Sequence, residues 1–334
     1  MIVVTVERAN ALEFSADVLV LKYAQLHYGV DAVAADLFAR AGQELRFPVP
    51  MRDARLMNSP AGISARQVLF VGVPPLTKLG YGEIREFARK ALAALATEAP
   101  EARHIALTLH GPGYGLDELE AFESEIGGLS DAAREGCFPQ DLTAITFVEW
   151  NAGRVSRLAE RLKDLLPNGS LGARQRGGEP MEETRKQFAN VGNSSNKKPH
   201  VFVAMPFKEE MDDVYHFGIQ AAVREAGYLC ERADLSSFTG DVMDWVRERI
   251  RSASFVVADL TEASPSVYLE VGYAWGVGVP TVLVVRDAAH LKFDVKTQRC
   301  LVYKKIRDLE SLLSAELRIL TKASTPVTAK GALQ

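Results

Sequence analysis

Two carboxylates in the last third of the chain stand where reaction chemistry could be done. Asp259 follows the apolar run Phe255–Ala258, and Glu270 follows the triplet Ser264-Pro265-Ser266, which opens a helical pattern. A residue just past a buried strand and a residue in the first turns of the next helix can face one crevice. Pro265 suits a helix start, where neighbouring amides are free to meet an anion. Such a pair suits attack at an anomeric carbon, because a glycosidic bond breaks through an oxocarbenium-like transition state. One carboxylate attacks or stabilises C1′ while a second group orients the ribose or assists the leaving group. Glu270 is the better nucleophile of the two, since a helix N-terminus would keep it ionised. A plainer reading stays open: a strand-end cap and a carboxylate that offsets a helix dipole. Nearby, Met205, Pro206 and Phe207 could wall a base, Asp234 could bond a ribose hydroxyl, and Arg286 could meet a phosphate.

The residues from His200 to Tyr303 resemble the nucleoside 2-deoxyribosyltransferase-like family, which is related in fold to TIR domains. The matching pieces are VFVAMPF, DDVY at Asp212–Tyr215, the block ADLTEASPSVYLEVGYAWGVGVP, and FDV at Phe293–Val295. The resemblance implies a Glu nucleophile at Glu270, the strand-end Asp at Asp259, and substrate contacts from Ser264, Ser266 and Tyr268. The chain departs from the family's Asn-Pro-Asn at Ser264-Pro265-Ser266, from its Gly at Glu262 and from its Lys at Val279, and loss of the asparagine amides could alter ribose or phosphate contacts. The activity so implied is cleavage of the N-glycosidic bond of a nucleotide or NAD, with water as acceptor. Base exchange and nucleotide binding without turnover are the competing readings.

The N-terminal half offers a glycine-rich turn, His110-Gly111-Pro112-Gly113-Tyr114-Gly115, between the apolar run Ile105–Leu109 and a helical pattern. Backbone amides there could approach phosphates, although a lone glycine pattern also fits a simple turn. With Ala16–Gln25, Gly29–Val33 and Ala41-Gly42, this turn resembles macro domains, and it overlaps the N-terminal domain of leucine aminopeptidases. The resemblance implies an ADP-ribose-like ligand, with Asp17 near the adenine, Gln25 in the first loop, and Gly111, Gly113, Tyr114 and Gly115 around the diphosphate. Lys22, Gln25, His27 and Tyr28 replace residues that serve hydrolysis in active macro domains, so no hydrolysis is expected of this half. Fusions of two such modules resemble bacterial antiphage effectors, and this implies a homo-oligomer.

The elements that must position these residues are legible from apolar runs. Ile2–Val6, Val18–Leu21, Val68–Val71, Ile105–Leu109 and Ala144–Val148 read as strands, alternating with helices over Val30–Ala41, Gly82–Ala99, Asp117–Glu135 and Arg154–Leu166. Further on, His200–Ala204, Tyr228–Glu231, Phe255–Ala258, Thr281–Val285 and Cys300–Tyr303 read as strands, with helices over Asp212–Ala226, Asp241–Ser252, Val267–Gly276 and Asp308–Leu320. The expected fold class is α/β: an N-terminal three-layer macro-like mixed sheet, then a doubly wound parallel sheet of flavodoxin-like type. The expected division is 1–166, a linker over 167–199 with a short helix from Glu182 to Ala189, a second domain over 200–322, and a tail over 323–334. At 334 residues the chain is long enough for two domains. A net charge of −4 argues against bulk attraction to nucleic acid. Three scattered cysteines give neither a disulfide framework nor a metal site, so no cofactor is expected and reduced cytoplasm fits. No apolar run reaches the ~18 residues of a membrane helix, and the opening MIVVTVERAN does not read as a signal peptide.

Overall fold

The computed structural model describes residues 1–43, 49–171, 190–206, 208–232, 242–292 and 295–324. They fold into two compact units, one of Met1–Lys197 and one from Lys198 onward. Both are α/β, the first around a mixed sheet of seven strands and the second around a parallel sheet of five.

In the first unit β1 (Ile2–Arg8), β2 (Val18–Tyr23), β3 (Ala54–Asn58), β4 (Gln67–Gly72), β5 (His104–Leu107), β6 (Ala144–Glu149) and β7 (Ser170–Leu171) lie in the order β3-β4-β2-β5-β6-β1-β7. The five inner strands are parallel, and β3 and β7 are antiparallel edges. Every residue of β2 is buried, which is why its VLVLKY run is apolar throughout except at Lys22. On one face α1 (Val30–Arg40) sets Ala34 and Phe38 against Leu19, Leu21 and Phe70. The other face carries α2 (Tyr81–Glu98) and α3 (Glu118–Glu135), which pack on each other, and α4 (Ala152–Leu165). The α2–α3 approach is close because Gly128 has no side chain: a Cβ there would stand 2.0 Å from the Arg85 carbonyl oxygen. Asp117 caps α3 by accepting from the amides of Leu119 and Glu120, both at 3.1 Å.

Two pieces of the stretch 167–199, read from sequence as linker, are built into this unit. β7 pairs with β1, and residues 190–196 dock on α2 and α3. The Ser195 hydroxyl bonds the Glu120 carboxylate, the Gly192 amide donates to Ser195 Oγ at 2.8 Å, and the Tyr81 amide donates to Asn196 Oδ1 at 3.3 Å. Ser, Asn and Gly look like linker in composition, but here they satisfy polar groups at the start of two helices. The expected helix from Glu182 to Ala189 lies outside the described residues.

In the second unit β8 (His200–Ala204), β9 (Leu229–Glu231), β10 (Phe255–Asp259), β11 (Thr281–Val285) and β12 (Cys300–Val302) lie in the order β12-β11-β10-β8-β9, all parallel. Helix α5 runs as Glu209–Asp213, a π-helical Val214–Gln220 and Ala221–Glu225. It packs with α8 (Ile306–Ser324), which takes in the first residues of the expected tail, while α6 (Val242–Ser252) packs with α7 (Pro265–Gly276). The chain steps one way from β8 to β9 and the other way through β10, β11 and β12. Right-handed crossovers therefore leave opposite faces of the sheet at β8 and β10, the switch point beyond whose carboxyl ends sheets of this kind hold their ligand crevice.

The α2–α3 packing generates a prediction. Gly128→Ala should destabilise the first unit by about 1–3 kcal/mol, the usual cost of overpacking, seen as a lower urea midpoint with an unchanged slope.

Candidate active site

The crevice of the second unit is built around Asp259, the last residue of β10. Its carboxyl is fully buried and is held from two sides. The Thr261 amide donates to Oδ1 at 2.8 Å, and the Tyr303 hydroxyl, just past β12, donates to Oδ2 at 2.7 Å. Burial raises the Asp259 pKa above the ordinary carboxylate value; the bonds from Thr261 and Tyr303 and the charge of Arg286 oppose that rise. Tyr303 is itself pushed up to about 12, first by burial and then by Asp259. Arg286, the residue after β11, donates its amide to Thr261 Oγ1 at 3.1 Å and holds its guanidinium carbon 5.9 Å from the Tyr303 ring centre. The ends of β10, β11 and β12 are thus tied into one ring of interactions.

Glu270 stands on α7, with Val267, Val271 and Ala274 among its buried neighbours on that helix. It is 8% exposed. Among the described residues it has no hydrogen-bond or ion-pair partner. Burial pushes its pKa up to about 7. The expectation of an ionised Glu270 at a helix start is corrected here. The helix begins at Pro265, so Glu270 lies in the second turn, where the dipole has faded and desolvation wins. Ser264 is the N-cap residue and makes no side-chain cap bond, Ser266 is exposed, and the Tyr268 hydroxyl accepts from the Lys292 amide at 3.2 Å.

On the other side of the crevice Met205 is buried at the end of β8, and Pro206 is half-buried. Phe207, Asp234, Phe293 and Asp294 lie outside the described residues. Two participants have no signal in the sequence. Tyr303 reaches Asp259 across 44 residues. Arg232, the residue after β9, lies 4.0 Å over the Tyr215 ring, 3.3 Å from Asp212 and 3.7 Å from the Met205 sulfur. Lys208 and Glu262 pair across the loops that follow β8 and β10.

In the first unit the strand order reverses at β2 and β5, and the loops after them carry most of the expected ligand residues. The structure separates Asp17 from these. It precedes β2, and its carboxylate accepts from the amides of Arg103 and His104, at 2.8 and 3.0 Å, at the amino end of β5. A six-residue strand at ~3.3 Å per residue puts Asp17 at the opposite edge of the sheet from Gln25, so it meets no ligand held there. Gln25, at φ 62°, uses its side-chain amide on the Val73 carbonyl at 2.9 Å. The glycine turn is tied to itself: the amides of Tyr114 and Leu116 donate to Gly111 and that of Gly115 to Pro112. With α3 already capped by Asp117 and opening on Glu118 and Glu120, two amides of the expected diphosphate cradle at Gly111, Gly113, Tyr114 and Gly115, those of Tyr114 and Gly115, are engaged within the turn. Gly113 itself borders open space. The same edge holds a buried polar group instead. Lys22 pairs with Asp31 under the Tyr114 ring, and His110 Nδ1 lies 3.0 Å from Glu125. Burial drives the His110 pKa well down and the Glu125 pKa well up.

Among the described residues no cluster of His, Cys, Asp and Glu is arranged to hold a metal ion, and no helix is long and apolar enough to cross a membrane. No protein-family model matches the chain, and no curated protein matches it. Parts of it are similar to solved structures. The Clostridium botulinum CMP N-glycosidase is 17% identical over 35% of this chain and 98% of its own, with a TM-score of 0.30. The Oceanobacillus iheyensis macrodomain with MES bound is 15% identical over 48% and 91%, with a TM-score of 0.37. The Trypanosoma brucei macrodomain in complex with ADP-ribose is 21% identical over 47% and 68%, also at 0.37.

Glu270 links the site to stability. A carboxyl whose folded pKa is raised contributes stability that is fully present below about pH 4.5 and lost as pH rises through about 7. Replacing Glu270 by Gln removes that loss. At pH 8 the second unit of Glu270→Gln should therefore be more stable than wild type, by an amount on the order of 3 kcal/mol, and the difference should vanish near pH 4 in thermal melts.

Proposed function

We propose that the second unit cleaves the N-glycosidic bond of a nucleotide, with Glu270 as the nucleophile. One observation carries this reading: Glu270 is a buried carboxyl with no partner among the described residues, on a helix beside the β8/β10 crevice, and its pKa is raised to about 7. A structural carboxylate at 8% exposure would be paired. A reacting one must keep its oxygens free for the substrate. The match of ADLTEASPSVYLEVGYAWGVGVP to the deoxyribosyltransferase-like block supports the same role.

In the first step a Glu270 oxygen bonds to C1′ as the C1′–N bond breaks and its electron pair leaves on the base, which takes up a proton. In the second, water bonds to C1′, the C1′–O bond to Glu270 breaks, and the water's proton is released. A buried, apolar site favours this chemistry, because an ionised Glu270 is poorly solvated and gains most by bonding to a centre of developing positive charge. Asp259 takes a different part. Both of its oxygens are engaged and it is closed to solvent, so it fixes the loop that carries Thr261 and does not touch C1′. Base exchange differs only in the acceptor of the second step and is tested by adding a second base. On this reading the first unit holds a nucleotide ligand at the β2/β5 edge, beside the half-buried Tyr28 and Tyr114, which meet edge to face with ring centres 6.2 Å apart. NAD as substrate, self-association and a defence role rest on family likeness alone.

The test is release of free base from a panel of nucleotides and NAD by the full-length protein. Glu270→Gln should lower the rate at least ~100-fold, as loss of a nucleophile does, while nucleotide binding by calorimetry is kept. Asp259→Asn should cost less than Glu270→Gln and should also lower the melting temperature of the second unit. The wild-type rate should rise with pH through about 7, as Glu270 gives up its proton. A wild-type rate from Glu270→Gln would leave the site a receptor.

A further inference from the structure

The loops at the carboxyl edge of the second sheet are tied together by bonds of two kinds. Those that follow β10, β11 and β12 are joined by hydrogen bonds through the buried Asp259 and Tyr303 and the half-buried Thr261. The loops that follow β8 and β10 are joined by an ion pair that faces water. Lys208 Nζ lies 2.5 Å from the Glu262 carboxylate, with side chains 54% and 30% exposed. This pair bridges the two strands at which the sheet changes direction. The residue after Glu262 carries backbone strain. Ala263 sits at φ 49°, in the left-handed region, and its amide donates to the Leu260 carbonyl at 3.0 Å.

We propose that the Lys208–Glu262 pair is a clasp that closes the β8/β10 switch point in the free protein, and that a nucleotide enters when it opens. This rests on that switch point being the place where the substrate of the glycosidase reading binds. A ligand seated there has to pass between the loops after β8 and β10, and the clasp joins those two loops. An ion pair in water holds weakly, so it opens readily, whereas a buried pair would act as a lock. Lys208 also has somewhere to turn. Glu262 does most to raise its pKa, but Glu210, on its own loop, acts on it as well. Strain at Ala263 favours release of the loop once the pair parts. Closure lowers the apparent affinity for nucleotide by the fraction of molecules that are open.

The test uses full-length wild type, Glu262→Gln and the charge-swapped Lys208→Glu/Glu262→Lys protein. Hydrogen exchange over residues 208–213 and 260–265 reads the clasp with no ligand present. Exchange should be about two- to fivefold faster in Glu262→Gln, the reach of an exposed ion pair, and should return towards wild type in the swapped protein. Base release from the nucleotide that wild type turns over fastest reads the gate. In Glu262→Gln kcat/KM should rise about two- to fivefold, through KM with kcat unchanged, and the swap should reverse the rise. Raising NaCl from about 0.05 to about 0.5 M should remove the difference between wild type and Glu262→Gln. Equal exchange in wild type and Glu262→Gln means there is no clasp, and an equal or lower kcat/KM in Glu262→Gln means there is no gate; either overturns the proposal. Should wild type release no base, the glycosidase reading fails and the gate is read by calorimetry with AMP and NAD as probes. Tighter binding in Glu262→Gln upholds it, and equal, weaker or absent binding overturns it.

Discussion

A carboxyl that is fully buried needs donors for both of its oxygens, and Asp259 obtains them from two places that are remote in sequence. The Thr261 amide comes from the loop that leaves its own strand, and the Tyr303 hydroxyl comes from beyond β12. Each bond to such a group contributes roughly 1.5–3 kcal/mol, and an orphaned oxygen would cost a comparable amount. The strand ends on this side of the sheet therefore cannot move independently. β10 is tied to β12 through Asp259 and Tyr303, and β11 is tied in through Arg286 and Thr261. The loop between β10 and α7 is set by these bonds, and with it the point at which the helix carrying Glu270 begins.

The two carboxyls of the crevice are pushed in the same direction by burial and end in different conditions. Asp259 is compensated by donors, so burial serves to hold it in place. Glu270 is compensated by nothing among the described residues, so burial leaves its proton poised near neutrality. Environment, not residue type, divides the labour between two acids in one site. The same contrast runs through the first unit. There the buried acids Asp31 and Glu125 face Lys22 and His110, and the Tyr114 and Gly115 amides bond back within the glycine turn. The edge that resembles a phosphate-binding loop in sequence is organised around a buried ion pair, Lys22–Asp31, and a buried His110–Glu125 hydrogen bond.

Much of the fold is legible in the sequence, and physics explains where it is not. The inner strands other than β1 are largely buried on both faces and so read as continuous apolar runs, and the bounds expected for the inner strands fall within two residues of those observed. β3 and β7 escape notice. ARLMN is half-buried with no clean alternation, and Ser170–Leu171 is too short to have a period. Asp259 and Glu270 stand out because each follows a recognisable element. Tyr303 and Arg232 do not, because their roles depend on which strands become neighbours. Asp17 misleads for the same reason. Sequence places it beside the first loop, while the direction of β2 carries it to the far edge of the sheet.

The central claim is that Glu270 forms a bond to the sugar. Intact-protein mass spectrometry after acid quench during turnover of a nucleotide, followed by peptide mapping, tests it most directly. The account predicts a mass increase of one sugar moiety, carried by the peptide that contains Glu270 and absent from the Glu270→Gln protein. Release of base with no adduct, or an adduct on a different residue, would contradict it.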